Sequence, residues 1–148
     1  MKTIKYNFNW GPLWVKIDKH CLVELSFSEL ENAKVGRHSD DLYKQLTAYF
    51  NGDLQKFNIR LAPQGTSFQH RVWDQLMKIG YGKTVSYSDI AEAIDSPKAI
   101  RAVGTAIGKN PIPIIIPCHR VIHKDGSLGG YSGGLQFKKM LLEVEGVE

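Results

Sequence analysis

Prolines 111, 113 and 117 divide an isoleucine-rich run, Pro111-Ile112-Pro113-Ile114-Ile115-Ile116-Pro117, and no other stretch constrains the fold as tightly. A proline has no backbone N–H and a fixed φ, so this run can be neither helix interior nor central strand. Its isoleucines ask for burial. The pattern predicts a stiff, extended, buried path that delivers the next two residues, Cys118 and His119, to a fixed place. The same prolines stop the run from being a membrane span.

The elements before this run read as helices. Ala62-Pro63-Gln64-Gly65 is a linker, which divides the chain at 1–62 and 63–148. Thr66 then caps a helix with Gln69 placed for a capping box. Phe68, Val72, Trp73, Leu76 and Met77 form its buried stripe, and Gly80 ends it. A second helix starts near Ser86 and buries Ile90, Ala91 and Ile94. Asp95-Ser96-Pro97 breaks the chain and restarts it, with Ser96 as cap and Pro97 in the first turn. The third helix runs to about Gly108 on a buried face of Ile100, Val103 and Ile107. So tight a connection between short helices suggests helix-turn-helix. The outer face of the third helix offers Lys98, Ala99, Arg101, Ala102, Thr105 and Ala106, with Gly104 nearby. Reading bases across a major groove takes several long polar side chains. A face this small fits close approach to a narrow groove or tight packing on another helix.

Residues 1–62 read as strands and one helix. Ile4, Tyr6, Phe8 and Trp10 alternate, as do Leu13, Val15 and Ile17. Asp18-Lys19-His20 makes a turn into a strand whose Cys21, Val23, Leu25 and Phe27 share a buried face. Leu42, Leu46, Tyr49 and Phe50 mark a helix that stops at Asn51-Gly52. Phe57, Ile59 and Leu61 alternate again. The result is a small sheet with one packed helix.

Charge says little. The net charge of +4 is split evenly, with nine Lys/Arg against seven Asp/Glu in residues 1–62 and ten against eight in residues 63–148. Two cysteines are too few for a secreted disulfide scaffold. No apolar stretch follows the charged N-terminus, so neither a secretory signal nor membrane attachment is expected, and the protein is expected in the cytoplasm.

Cys118-His119 is the pair that carries chemistry. A cysteine attacks as its thiolate, and a nearby histidine can lower the barrier to forming it. That histidine needs an orienting group of its own, and Glu143, Glu145 and Asp125 are the candidates. Cys118, His119 and His123 provide three potential zinc ligands where a structural site wants four, so no metal is expected.

Pro117-Cys118-His119-Arg120-Val121 resembles the active-site signature of the O6-alkylguanine-DNA alkyltransferases. The resemblance extends from Ser67 to Gly146 through Ser86-Tyr87, Arg101-Ala102-Val103-Gly104, Asn110-Pro111, Tyr131-Ser132-Gly133-Gly134, Leu141-Leu142 and Glu145-Gly146. It is weak over residues 1–62, where Gly11-Pro12-Leu13 is the main match. It implies an α+β protein: a small RNase H-like N-terminal subdomain, with an antiparallel sheet and a helix, then a mostly helical winged-helix or helix-turn-helix subdomain. The implied partner is double-stranded DNA containing O6-alkylguanine, with O4-alkylthymine as a further candidate substrate. The implied state is a monomer in solution, with cooperative binding along DNA as a further option.

The resemblance also implies residue roles. Cys118 is the alkyl acceptor, and His119, through a water, and Glu145 form the relay that yields its thiolate. Tyr87 presses on a phosphate beside the flipped base and can donate a proton toward guanine O6. Arg101 fills the gap that the base leaves, on a helix whose Ala102 and Gly104 lie against the minor groove. Asn110 ties that helix to the active-site loop. Backbone groups of Cys118, Val121 and Ser132 hold the guanine edge, and Tyr131 walls the pocket. No metal or organic cofactor is implied. Relatives that bind damage without repairing it carry another residue at the acceptor position, often Trp, so the thiol argues against a lesion-binding role. The small outer face of the third helix argues against a transcription regulator.

Overall fold

The computed structural model describes residues 1–131 and 133–147, and the chain divides into two compact units, Met1–Gln64 and Gly65–Glu148. In the first unit, β1 (Lys2–Phe8), β2 (Gly11–Asp18), β3 (Cys21–Ser26) and β4 (Lys34–Val35) form a sheet in the order β3-β2-β1-β4. β1–β2 and β2–β3 are antiparallel, and the short edge strand β4 runs parallel to β1. Lys19 and His20 both take positive φ (50° and 67°), the turn conformation that matches the twist of a two-residue hairpin. α1 (Asp41–Phe50) buries Leu42, Leu46 and Tyr49 and ends at Asn51.

Of the face expected to be buried in β3, Leu25 alone is buried. The strand's pairing with β2 shifts register between Lys16 and Ile17, which turns Leu22 and Leu25 inward together and leaves Cys21 and Val23 half-buried. Cys21 is therefore a free, partly accessible thiol. The alternation at Phe57, Ile59 and Leu61 gives a single bridge between Leu22 and Leu61, held by Leu22 N–H to Arg60 O and Ala62 N–H to Leu22 O, both 2.8 Å.

The second unit starts with α2 (Ser67–Leu76), capped by the expected reciprocal pair of Thr66 and Gln69. Met77 lies beyond the last turn and is exposed, while Val72, Trp73 and Leu76 are buried. β5 (Val85–Ser86) leads into α3 (Tyr87–Ala93), where Ser86 and Asp89 form a second capping box. The hydrogen bonds from Ser86 hold the Asp89 carboxyl below its ordinary range. α4 (Ile100–Gly108) begins later than Ser96-Pro97 suggests, because residues 96–99 close a separate turn with Ala99 N–H on Ser96 O at 2.9 Å. Trp73 Nε1 donates to Ala106 O at 2.9 Å, so α4 turns Ala106 toward α2 and leaves Ile100 exposed. β6 (Val121–Ile122) pairs parallel to β5, and α5 (Leu135–Val144) closes the unit. Among the described residues no helix is long and apolar enough to cross a membrane.

Candidate active site

The proline-divided run is buried as expected but is not extended. Ile116 N–H donates to Ile112 O at 3.0 Å, and Ile114 has φ of +76°. A β-branched residue in the left-handed region costs about 1–2 kcal/mol. Burial of Ile112, Ile114, Ile115 and Ile116 opposes that cost. So does Asn110, just beyond the end of α4. Its Nδ2 donates to Ile116 O at 2.8 Å, and its Oδ1 accepts from Ile112 N–H at 3.0 Å. Asn110 is buried, so Asn110→Ala strands the Ile112 N–H, at a cost of about 1–3 kcal/mol, and leaves Ile116 O with the Cys118 N–H alone as donor. Chemical denaturation should show that loss; a midpoint equal to that of the wild type would contradict this account of the turn.

The turn ends in one turn of 3₁₀ helix, Cys118–Arg120, whose three side chains are all buried. Burial pushes the Cys118 thiol up to about 11, against hydrogen bonds from Asn110 and Tyr131 and the charge of Lys138, which all favour the thiolate. The resting thiol is therefore neutral at pH 7. His119 Nε2 lies 2.6 Å from Glu145 Oε2, with both side chains fully buried. Burial holds the His119 pKa below its ordinary value, while Glu145 pulls the other way. The ring is thus neutral. Its Nε2–H donates to the carboxylate, which leaves the lone pair on Nδ1.

Of the three carboxylates open on sequence, Glu145 alone meets His119. Asp125 is exposed and accepts from Ser127 N–H and Oγ–H, and Glu143 is exposed. Glu145 also holds Arg120, which the sequence reading passed over. Arg120 Nε donates to Oε1 at 2.8 Å, Nη2 to Oε2 at 3.0 Å, and Nη1 to Ile79 O at 2.7 Å. Gly82 N–H reaches Oε1 at 3.1 Å. One carboxylate thereby orients a histidine and neutralises a buried guanidinium.

Lys138 is the other group the sequence reading missed. It is fully buried, and its ammonium donates to the carbonyls of Val121 (2.8 Å), Gly130 (3.4 Å) and Leu128. Burial lowers its pKa to about 8, and a charged Cys118 would raise it. It lies on α5, which buries Lys138, Leu141 and Leu142, with Glu145 at its end. The signal was present: these positions share one helical face, on which two charges bracket two leucines.

Tyr87 opens α3. Its ring is half-buried and lies against Gly104 of α4; burial raises its pKa, as would a charged Cys118. Arg101 and Ala102 are exposed on α4. Val121 is buried; its N–H donates to Cys118 O, and its carbonyl accepts from Lys138. The backbone groups of Cys118 and Val121 thus already have partners, and each carbonyl offers its second lone pair. Tyr131 reaches the Cys118 thiol; Ser132 lies outside the described residues. Among the described residues no cluster of His, Cys, Asp and Glu could hold a metal ion.

Two family models match the chain. Residues 1–63 match the 6-O-methylguanine DNA methyltransferase ribonuclease-like domain, and residues 67–147 match the DNA-binding domain of the same methyltransferase. A methylated-DNA–protein-cysteine methyltransferase of Methanosarcina acetivorans is 49% identical over 124 residues, which is 84% of this chain and 78% of that protein. The Mycobacterium tuberculosis OGT, crystallised in complex with DNA, superposes with a TM-score of 0.90 at 41% identity, covering 98% of this chain and 92% of that one. The O6-methylguanine-DNA methyltransferase of Pyrococcus kodakaraensis superposes at 0.74 with 25% identity, covering 99% of each chain.

Proposed function

Because the chain belongs to the O6-alkylguanine-DNA alkyltransferase family, we propose that it repairs O6-alkylguanine in double-stranded DNA by moving the alkyl group to Cys118 Sγ. The observation that carries this is the buried Cys118 thiol next in sequence to a His119–Glu145 pair.

The chemistry follows from that arrangement. His119, neutral and oriented by Glu145, takes the thiol proton on its Nδ1 by way of a water. The thiolate attacks the alkyl carbon, an S–C bond forms, and the O–C bond to guanine breaks. The Tyr87 hydroxyl supplies a proton to the departing O6 and is reprotonated from solvent, while His119 returns the thiol proton to solvent, so guanine leaves neutral. The product thioether has no electrophilic carbonyl for water to attack, so each molecule works once. No metal or organic cofactor enters this scheme. A reactive thiol that must stay reduced suits a reducing compartment such as the cytoplasm.

The target atom is buried in a duplex, so the base has to leave the stack. We assign that step to α4. Ala102 and Gly104 let its backbone approach the minor groove, and exposed Arg101 takes the place of the extruded base. Arg101→Ala should slow transfer from duplex DNA far more than transfer from the free base O6-methylguanine. Equal slowing of both would remove Arg101 from base extrusion. Asn110 joins this helix to the acceptor turn, and Tyr131 and the backbone of Val121 border the base pocket.

The decisive experiment incubates the protein with a duplex containing O6-methylguanine and weighs the peptide that carries Cys118. A gain of one methylene, saturating at one per chain, is expected. A bound duplex with an unchanged peptide would refute the proposal.

A further inference from the structure

We infer that His123 is a positioning residue for Tyr87: its ring holds the Tyr87 hydroxyl in place over Gly129 at the acceptor site. The inference rests on the role proposed above for Tyr87.

The two rings lie with centroids 5.1 Å apart at 39°. Tyr87 starts a short helix, and its ring extends away from the helix core, where only neighbouring elements can hold it. Three of them do. Gly104 of α4 faces Cδ1, at 3.9 Å from where a Cβ would stand. A Cβ on Gly129 would stand 2.7 Å from the Tyr87 hydroxyl and 3.1 Å from His123 Nε2, so both polar tips converge on the same backbone atom. Gly129 also has φ of +74°, a conformation that suits glycine. His123 is the third neighbour.

His123 is exposed, so its ring is not part of the core, yet its backbone is well fixed. Its N–H donates to Ser127 O at 2.8 Å, and Gly126 N–H donates to its carbonyl at 3.0 Å. Asp125 is occupied inside the same turn by Ser127. The turn after β6 is thus closed on itself and presents one aromatic ring to Tyr87. Aromatic pairs at this separation attract each other beyond the effect of burial. That is enough to favour one ring orientation over others, and a small displacement of a reacting group costs much more in rate than in stability.

The test is a double-mutant cycle on transfer from duplex O6-methylguanine. His123→Ala should slow transfer about tenfold, and His123→Phe, which keeps a flat ring, should restore it. In a Tyr87→Phe background, where no hydroxyl remains to be placed, His123→Ala should cost nothing further. An equal cost in both backgrounds, no cost in either, or a His123→Phe variant as slow as His123→Ala would overturn the inference. The NMR signals of the Tyr87 ring protons give a readout that needs no activity. They should move in His123→Ala and return in His123→Phe; signals unchanged by His123→Ala would also overturn it. An inactive wild type would count against the repair function, and these ring signals would still decide the contact.

Discussion

Cys118→Ala is expected to abolish alkyl transfer entirely while duplex binding survives. The groups assigned to DNA contact, Arg101 and Ala102, are exposed on α4, whereas the Cys118 side chain is buried. The substitution removes one sulfur and leaves the His119–Glu145–Arg120 cluster in place. Mass analysis of the whole digest after incubation with O6-methylguanine duplex should find no methylated peptide, while fluorescence anisotropy still reports binding. Methyl transfer to any other residue would show that the acceptor has been misassigned. With the thiol at about 11, only about one molecule in 10⁴ holds a thiolate at pH 7. Small alkylating reagents should therefore label resting Cys118 slowly at neutral pH and faster toward pH 11, whereas damaged DNA is attacked at neutral pH because His119 takes the proton during transfer. The thiol also shapes alkaline stability. The unfolded thiol ionises near 9 and the folded one near 11. Cys118 therefore makes folding less favourable as pH rises through that window, and Cys118→Ala should lack this loss.

Glu145→Ala should produce the largest loss of stability of any single change in this site. The carboxylate is fully buried and compensates Arg120, whose guanidinium it grips twice, while orienting His119. Removing one partner of a buried ion pair costs about 3–5 kcal/mol, because the other charge remains desolvated. Chemical denaturation should show this as a lower midpoint. Glu145→Gln keeps the volume and removes the charge. It should fold better than the alanine variant yet transfer at least about 100-fold more slowly, since the histidine loses the group that sets its tautomer and basicity. A Glu145→Gln variant with wild-type transfer would take Glu145 out of the relay. The pH dependence has a definite sign. The folded His119 pKa is depressed below 6.5, so below that pH the unfolded chain takes up a proton that the folded chain does not. Stability is therefore lost as pH falls from 6.5. Because Glu145 raises the His119 pKa, Glu145→Gln should extend that loss to lower pH.

The helices of the second unit were legible because their signals are local. Thr66 with Gln69, and Ser86 starting α3, are capping signals within three or four residues, and both appear in the structure. Residues that the sequence misplaced depend on neighbours far along the chain. Ile100 was expected inside and Ala106 outside; the indole of Trp73, more than thirty residues earlier, bonds the carbonyl of Ala106 and reverses them. Leu22 displaced Cys21 from the core through a register shift in its partner strand, which no pattern within β3 could reveal.

By itself, the sequence pointed to the residues proposed to carry the chemistry: a cysteine beside a histidine, behind a proline-divided apolar run that asks for burial. It could not choose among three carboxylates, because spacing along a chain does not measure distance across a fold. Tertiary packing made that choice. It brought Glu145 to 2.6 Å from His119, placed Arg120 on the same carboxylate and buried Lys138 against three carbonyls. It also folded the proline run into a turn where an extended path was expected, with Ile114 in a left-handed conformation that Asn110 and the surrounding isoleucines hold. Buried charges and strained backbone persist only where the surroundings compensate them, and compensation is a property of the folded chain.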